Sequence, residues 1–125
     1  AVLIRALEPL TGIEIMARAR ARNSVGRGRP AGYELTNGPG KLCQALGLDL
    51  GQNREDLRGR VVWIEEGETV ADRTVATSPR IGCQTAAPPY DVMPWRMYLK
   101  GNPFVTPGRP LGSQTGGGKA PRHRE

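Results

Sequence analysis

Apolar and polar positions along the chain predict four short strands. Residues 2–7, VLIRAL, form an apolar run rich in β-branched side chains, and residues 60–65, RVVWIE, have a similar composition. Residues 78–83, SPRIGC, contain an internal glycine, which indicates a bulge or the close approach of another backbone. Residues 95–99, WRMYL, alternate Trp, Met and Leu with Arg and Tyr, as expected of a strand with two different faces.

Arg5 is a charged residue inside the first apolar run. In a strand its side chain points away from those of Ile4 and Ala6. A charge in such a run lies either at a sheet edge, facing water, or in a pocket. The residues alone leave both alternatives open.

Two helices are expected between the strands. The motif TGIE at residues 11–14 is a capping box and predicts a helix over residues 12–22. The second helix follows NGPG, where Pro39 suits the first helical position, and it ends at Gly47. Its apolar stripe is predicted to contain Leu42, Cys43 and Leu46. Strands separated by capped helices and long loops, without regular βαβ alternation, predict the α+β class.

The start of the second helix suggests an anion-binding site in addition to the ordinary signals that begin a helix. Gly38 and Gly40 carry no side chain, so another molecule's backbone could approach the free N–H groups of the first turn. Those N–H groups and the positive end of the helix dipole favour an anion, and Lys41 adds a full positive charge. The glycine spacing and the Lys-Ser/Thr pair of a Walker loop are absent, which excludes that nucleotide-binding motif.

The charge balance indicates a polyanionic partner. The chain has 18 basic and 12 acidic residues, a net charge of +6 and a pI near 10.0. Nucleic acid is favoured over an anionic membrane, and a merely soluble basic protein is the plain alternative. Five arginines and no acid occur within residues 17–29, which is more charge than one helix C-terminus needs. Arg18 and Arg20 are therefore candidates for phosphate contacts.

Other reactive side chains are sparse. Cys43 and Cys83 lack metal-ligand spacing, and the single histidine, His123, lies in a basic tail, residues 107–125, that is expected to be disordered. We therefore expect no metal, no cofactor and no Ser-His-Asp arrangement. Free cysteines favour a reducing, intracellular location, in the cytoplasm or the nucleoid. No apolar run approaches the length of a membrane span, so no membrane partner is expected.

Four motifs occur in one order along the chain: LIRALEPLTGIEIM, LTNGPGKLCQALG, SPRIGC and PWRMYLKGNPFV. Together they resemble the alkyladenine (3-methyladenine) DNA glycosylase family over residues 1–106. The resemblance implies that residues 1–106 are the C-terminal part of a single glycosylase domain of the α+β class, with a mixed, curved and mainly antiparallel sheet. The chain is then expected to be incomplete relative to the family domain, with residues 107–125 as its tail.

The resemblance also implies a mechanism. The family flips a damaged purine out of duplex DNA and hydrolyses its N-glycosidic bond, which is inaccessible inside the base stack. A glutamate, an arginine and a main-chain carbonyl orient the attacking water. Arg5 matches the arginine, and its guanidinium should turn toward the peptide oxygen of Ile81, which matches the carbonyl. Residues 38–41 match the family's phosphate-contacting helix start, supported electrostatically by Arg20 and its neighbours.

One departure from the family concerns the acid–base chemistry. In the family, the general-base glutamate, the aromatic residues that stack on the flipped base and the wedge tyrosine precede the LIRALEP strand, and this chain contains none of them. Glu8 and Glu14 belong to a strand end and a capping box, so they are no substitutes. An arginine stays protonated at neutral pH and cannot act as a general base.

The resemblance therefore implies part of a monomeric, monofunctional glycosylase for duplex DNA with alkylated or deaminated purines, and we expect this chain alone to be inactive. The alternative is a basic DNA-binding module without chemistry. A basic RNA-associated protein is a third option, which rests on the charge alone.

Overall fold

A computed structural model describes residues 1–22, 28, 30, 32–83 and 85–107. The predicted tail lies outside the described residues except for Pro107. The regular elements, in chain order, are the helices α1 (Ile13–Arg22) and α2 (Pro39–Leu46) and the strands β1 (Val75–Ser78) and β2 (Arg96–Leu99). Short 3₁₀ turns span Gly32–Glu34, Leu50–Gln52 and Asp72–Thr74.

Helix α1 follows the predicted range to within one residue. Gly12 precedes it at φ 72°, a left-handed conformation that glycine adopts without strain, and its carbonyl accepts from Met16 N at 3.0 Å. Glu14 lies in the first turn, and Arg20 and Arg22 lie in the last. This distribution of charge matches the helix dipole and stabilises the isolated element.

Helix α2 has the predicted start and stop. Gly38 is the N-cap residue, Pro39 occupies the first turn, and Gly47 closes the helix at φ 67°. The N–H of Gly47 donates to the carbonyl of Cys43, which satisfies one of the last helical carbonyls. The local signals for this helix were therefore sufficient to locate it.

The most buried residues lie in the two helices and the segment that leads into α2. Among the described residues, the buried apolar side chains are Ala17, Leu35, Leu42 and Ala45. The predicted apolar stripe of α2 was right for Leu42 and wrong for Cys43 and Leu46, which are exposed. Ala45, three residues after Leu42, is buried because residues at this spacing lie on the same face of a helix.

Within the part of the chain that the structure describes, the sheet has two strands. β1 and β2 pair antiparallel, with Val75 opposite Leu99 and Ser78 opposite Arg96. β2 confirms the strand predicted at residues 95–99, whereas β1 was not predicted except for its last residue, Ser78. Two helices with an antiparallel sheet agree with the predicted α+β class.

Three predicted strands are corrected in the described residues. Residues 2–7 form no strand, residues 60–65 contribute a single bridge between Arg58 and Trp63, and residues 78–83 pass from the end of β1 into a turn. A strand needs a neighbouring backbone to pair its N–H and C=O groups, and composition alone does not supply that neighbour.

Tertiary hydrogen bonds hold the N-terminal run in place. Thr36 donates its hydroxyl to the carbonyl of Leu7, and Asn102 Nδ2 donates to Glu8 Oε2 at 2.8 Å. The run that carries Arg5 is thereby connected both to the segment before α2 and to the turn after β2. None of the described helices is long and apolar enough to cross a membrane.

Candidate nucleic-acid interface

An open cleft of about 550 Å³ lies at the start of α2. It is lined by Tyr33, Glu34, Asn37, Gly38, Pro39, Gly40, Lys41, Thr106 and Pro107. The predicted phosphate-binding residues Gly38, Gly40 and Lys41 thus share one concave surface with residues that follow β2.

The first turn of α2 has backbone N–H groups without a side-chain cap. Gly38 offers no side-chain acceptor, and its carbonyl receives the N–H of Leu42 at 2.8 Å. Pro39 has no N–H, so the amides of Gly40 and Lys41 are the first-turn donors. An uncapped helix start with exposed donors is suited to an anion.

The glycines at this start are not required by the fold of the chain itself. Gly38 has φ −177°, which any residue can adopt, and a Cβ there would be 4.0 Å from its nearest neighbour, Lys41 Cδ. A Cβ on Gly40 would meet no atom within 4 Å. Side chains would therefore fit into this structure, and their absence leaves the first turn open to a molecule outside it.

Lys41 is held at the mouth of the cleft. Its Nζ donates to Asn37 Oδ1 at 2.9 Å, and Asn37 is only 9% exposed. A cation at a helix N-terminus is opposite in sign to the charge that stabilises a helix. The position of Lys41 is unfavourable for α2 by itself. It favours the binding of an anion that would contact both the Lys41 ammonium and the positive end of the helix dipole.

The two predicted arginines of α1 have different surroundings. Arg18 is exposed, and its Nε donates to the carbonyl of Glu14 at 3.4 Å. Arg20 is 8% exposed; its Nη1 donates to Gln44 Oε1 of α2, and its Nε is buried without a hydrogen-bond partner. Arg20 therefore lies between the helices. The part of the arginine-rich run beyond Arg22 includes Arg27 and Arg29, which lie outside the described residues.

Arg5 and Ile81 are the two residues predicted to orient the attacking water. Arg5 is half-buried, and its Nε is a buried donor without a hydrogen-bond partner. Ile81 is half-buried in a turn with Gly82, whose φ of 81° is a conformation that favours glycine. This turn, rather than a strand, presents the Ile81 carbonyl. A shared role for Arg5 and Ile81 in holding a water stays a prediction.

Sequence reasoning missed a set of hydrogen bonds that joins the sheet to the cleft. Arg96 donates from Nη1 to Ser78 Oγ at 3.2 Å and from Nη2 to the carbonyl of Thr106. Thr106 Oγ1 donates to the carbonyl of Asn37 at 2.8 Å. The alternation in WRMYL could have suggested this role, because it places Arg96 and Tyr98 on one face. Those two side chains are half-buried, and the guanidinium lies 4.4 Å from the Tyr98 ring centroid.

Asp56 and Arg58 form an ion pair outside the cleft that gives no indication of a binding site. Asp56 accepts two hydrogen bonds from the side chain of Arg58, both 3.1 Å long, which lower the pKa of that carboxyl from its ordinary value of 3.8. The pair is exposed, so it is screened by solvent. The described residues contain no group of three or more side chains able to hold a metal ion.

Comparison with known proteins relates the chain as a whole to a family of DNA-repair proteins. The family model for methylpurine-DNA glycosylase (MPG) matches residues 1–103. A protein of Prosthecochloris aestuarii named "Putative 3-methyladenine DNA glycosylase" is 40% identical over 111 residues, which are 89% of this chain and 48% of the relative. A protein of the same name in Desulfitobacterium hafniense is 41% identical over 107 residues, 85% of this chain and 52% of the relative.

These matches define a class, the DNA glycosylases of base excision repair. Within that class, the chain belongs to the methylpurine-DNA glycosylase family, which confirms the resemblance that its four motifs indicated. The chain spans about half the length of the curated relatives that it matches.

Proposed function

We propose that this chain supplies the phosphate-binding and water-positioning parts of a glycosylase that removes alkylated or deaminated purines from duplex DNA. The proposal rests on the start of α2, where backbone N–H groups without a side-chain cap lie in one open cleft with Lys41. Gly38 and Gly40 leave this turn accessible, because neither has a side chain although the structure has space for one. The complete protein would act as a monomer on DNA in the cytoplasm or the nucleoid, without a cofactor.

A DNA phosphate would bind at the first turn of α2. The amides of Gly40 and Lys41 would donate to its oxygens, and the Lys41 ammonium would neutralise its charge. Arg18, exposed on α1, would contact the same strand. Arg20 would contribute indirectly, because its hydrogen bond to Gln44 fixes α2 against α1.

The reaction joins a water oxygen to the sugar C1′ and breaks the bond from C1′ to the purine nitrogen. The purine leaves with the electron pair of that bond and, in the net reaction, takes up the proton that the water loses. Arg5 would donate to the water oxygen, and the Ile81 carbonyl would accept one of its protons in a hydrogen bond. The buried, unpartnered Nε of Arg5 supports a donor role. Neither group can remove the proton, because a guanidinium is already protonated and an amide carbonyl is not a base at neutral pH.

The binding step is tested with the 125-residue chain and a hypoxanthine-containing duplex, measured by fluorescence anisotropy across a salt series. We expect Lys41→Met to weaken binding and to reduce the slope of log K against log salt by about 0.9, the value for one phosphate contact. Gly40→Ala should weaken binding while leaving the fold intact, because its Cβ enters open space. Arg60→Met and Gly67→Ala are the matched controls, and equal effects in variants and controls would refute the proposal.

The catalytic step is tested by base release. We expect this chain alone to release no hypoxanthine or 3-methyladenine above background, since it lacks a group assigned to deprotonate the water. Free base is measured by chromatography after incubation with lesion-containing duplex, and a heat-denatured sample of the chain provides the background. Release above that background would contradict the expectation that this chain is inactive by itself.

A DNA-binding module without chemistry is the second candidate function. It is favoured by the position of the proposed groups, because the whole start of α2 lies within this chain whereas no general base has been assigned in it. The two functions share the binding prediction. A complementation experiment distinguishes the two functions. The residues that precede the LIRALEP-like motif in a longer relative are added as a second chain. Base release is then expected if this chain is part of a glycosylase, and no release is expected if it is only a DNA-binding module.

A further inference from the structure

We propose that Arg96 is a positioning residue that fixes the start of α2 relative to the turn carrying Ile81. The inference rests on the proposed function, in which α2 binds a phosphate and Ile81 holds the water. Hydrolysis needs those two sites at a fixed separation, because the flipped nucleotide is bound through its backbone and attacked at its sugar. Arg96 is outside the lining of the cleft and acts through other residues.

The first half of the connection runs from Arg96 toward Ile81. Arg96 Nη1 donates to Ser78 Oγ at 3.2 Å, across the antiparallel pair in which these two residues are opposite. The Ser78 hydroxyl in turn donates to the carbonyl of Pro79 at 3.2 Å. Pro79 lies two residues before Ile81, so these bonds orient the backbone that enters the turn.

The second half of the connection runs from Arg96 toward α2. Arg96 Nη2 donates to the carbonyl of Thr106, and Thr106 Oγ1 donates to the carbonyl of Asn37 at 2.8 Å. Asn37 is mostly buried, and its side-chain oxygen accepts from Lys41 Nζ at 2.9 Å. A continuous set of hydrogen bonds therefore joins the end of β1 to the cation of the cleft.

Arginine is the residue type that this junction requires. Its planar guanidinium offers donors in fixed directions, and here two of them reach acceptors on different segments of the chain. The guanidinium carbon also lies 4.4 Å from the centroid of the Tyr98 ring, which restricts its plane. A lysine would keep the charge but would not hold both acceptors in one geometry.

The first test is Arg96→Lys, with Arg60→Lys as the charge-matched control at an exposed position. Binding of the 125-residue chain to a hypoxanthine-containing duplex is measured across a salt series. We expect Arg96→Lys to weaken binding about fivefold or more, as for residues coupled through one network, with an unchanged salt slope. Arg60→Lys should bind like the unmodified chain.

The second test uses a substitution that leaves every charge in place. Thr106→Val removes the hydroxyl that donates to Asn37, and Thr106→Ser keeps it. We expect weaker binding for the valine variant and recovery in the serine variant. The double variant with Arg96→Lys should bind no more weakly than Arg96→Lys alone, because both changes interrupt the same connection. If Arg96→Lys fails to fold, the valine and serine pair still tests the link from Thr106 to Asn37 on which the inference depends, and normal binding by the valine variant would overturn it.

The outcomes separate the inference from the function on which it rests. Absence of salt-dependent binding by the unmodified chain would overturn both. Weakened binding by Lys41→Met, with Arg96→Lys and Thr106→Val binding normally, would overturn the inference alone. A reduced salt slope in Arg96→Lys would also overturn it, because Arg96 would then contact a phosphate directly. A lower melting temperature with unchanged affinity would show a merely structural role.

Discussion

The helix pair and the sheet are stabilised by different kinds of interaction. Among the described residues, every buried side chain lies between Ala17 and Ala45, in α1, in α2 or in the segment before α2. The strands β1 and β2 contain half-buried and exposed residues only. On β2 the large apolar side chains face outward, with Met97 75% exposed, while Arg96 faces inward.

This difference shows which interactions give each region its structure. Burial of apolar area stabilises the helix pair and is tolerant of small shifts in direction. A two-stranded sheet alone is marginal in water, so its place depends on specific hydrogen bonds such as those of Arg96. The proposed phosphate site lies on the helical region and the proposed water site on the sheet side. Their relative position thus depends on polar contacts.

The largest effect is expected from a pair of leucine substitutions that compares the two regions. Leu42 is 5% exposed in α2, and Leu99 is 39% exposed in β2. We expect Leu42→Ala to lower the free energy of unfolding by about 2–5 kcal/mol, through lost burial and the cavity left behind. Leu99→Ala should lower it by about 1 kcal/mol or less. Urea unfolding monitored by circular dichroism measures both, and equal losses would remove the distinction between the regions.

The same distinction explains which parts of the fold were predictable. The helices were located because their signals are local: the TGIE motif at residues 11–14 for α1, and Pro39 and Gly47 at the two ends of α2. Strand prediction was right for β2 and wrong for the run at residues 2–7, because pairing depends on a partner that the run itself does not specify.

The candidate site was predictable to a similar extent. Gly38, Gly40 and Lys41 could be placed at the start of α2, because Pro39 and Gly47 mark the two ends of that helix. The hydrogen-bond partners of Arg96 could not be predicted: alternation places its side chain on one face of the strand, but its acceptors lie 18 and 10 residues away, and the next bond joins Thr106 to a residue 69 positions earlier. The burial of Arg20 was equally hidden, because a helix end rich in arginine has the same sequence pattern whether its side chains face DNA or another helix.

A smaller effect is expected from the two arginines of α1, which belong to one helix and differ in burial. Arg18 is exposed, so Arg18→Met should reduce the salt slope of DNA binding by about 0.9 and change the free energy of unfolding by less than about 0.5 kcal/mol. Arg20 is buried against Gln44, so Arg20→Met should leave the salt slope unchanged.

The Arg20 variant should also change stability less than removal of its partner. Methionine fills a similar volume without a buried charge, which is often neutral, whereas Gln44→Ala leaves the Arg20 charge buried without its acceptor. We expect Gln44→Ala to lower the free energy of unfolding by about 1–3 kcal/mol. A reduced salt slope for Arg20→Met would instead mean that Arg20 leaves the helix interface to contact DNA. The helix pair would then be part of the binding surface itself and not only its support.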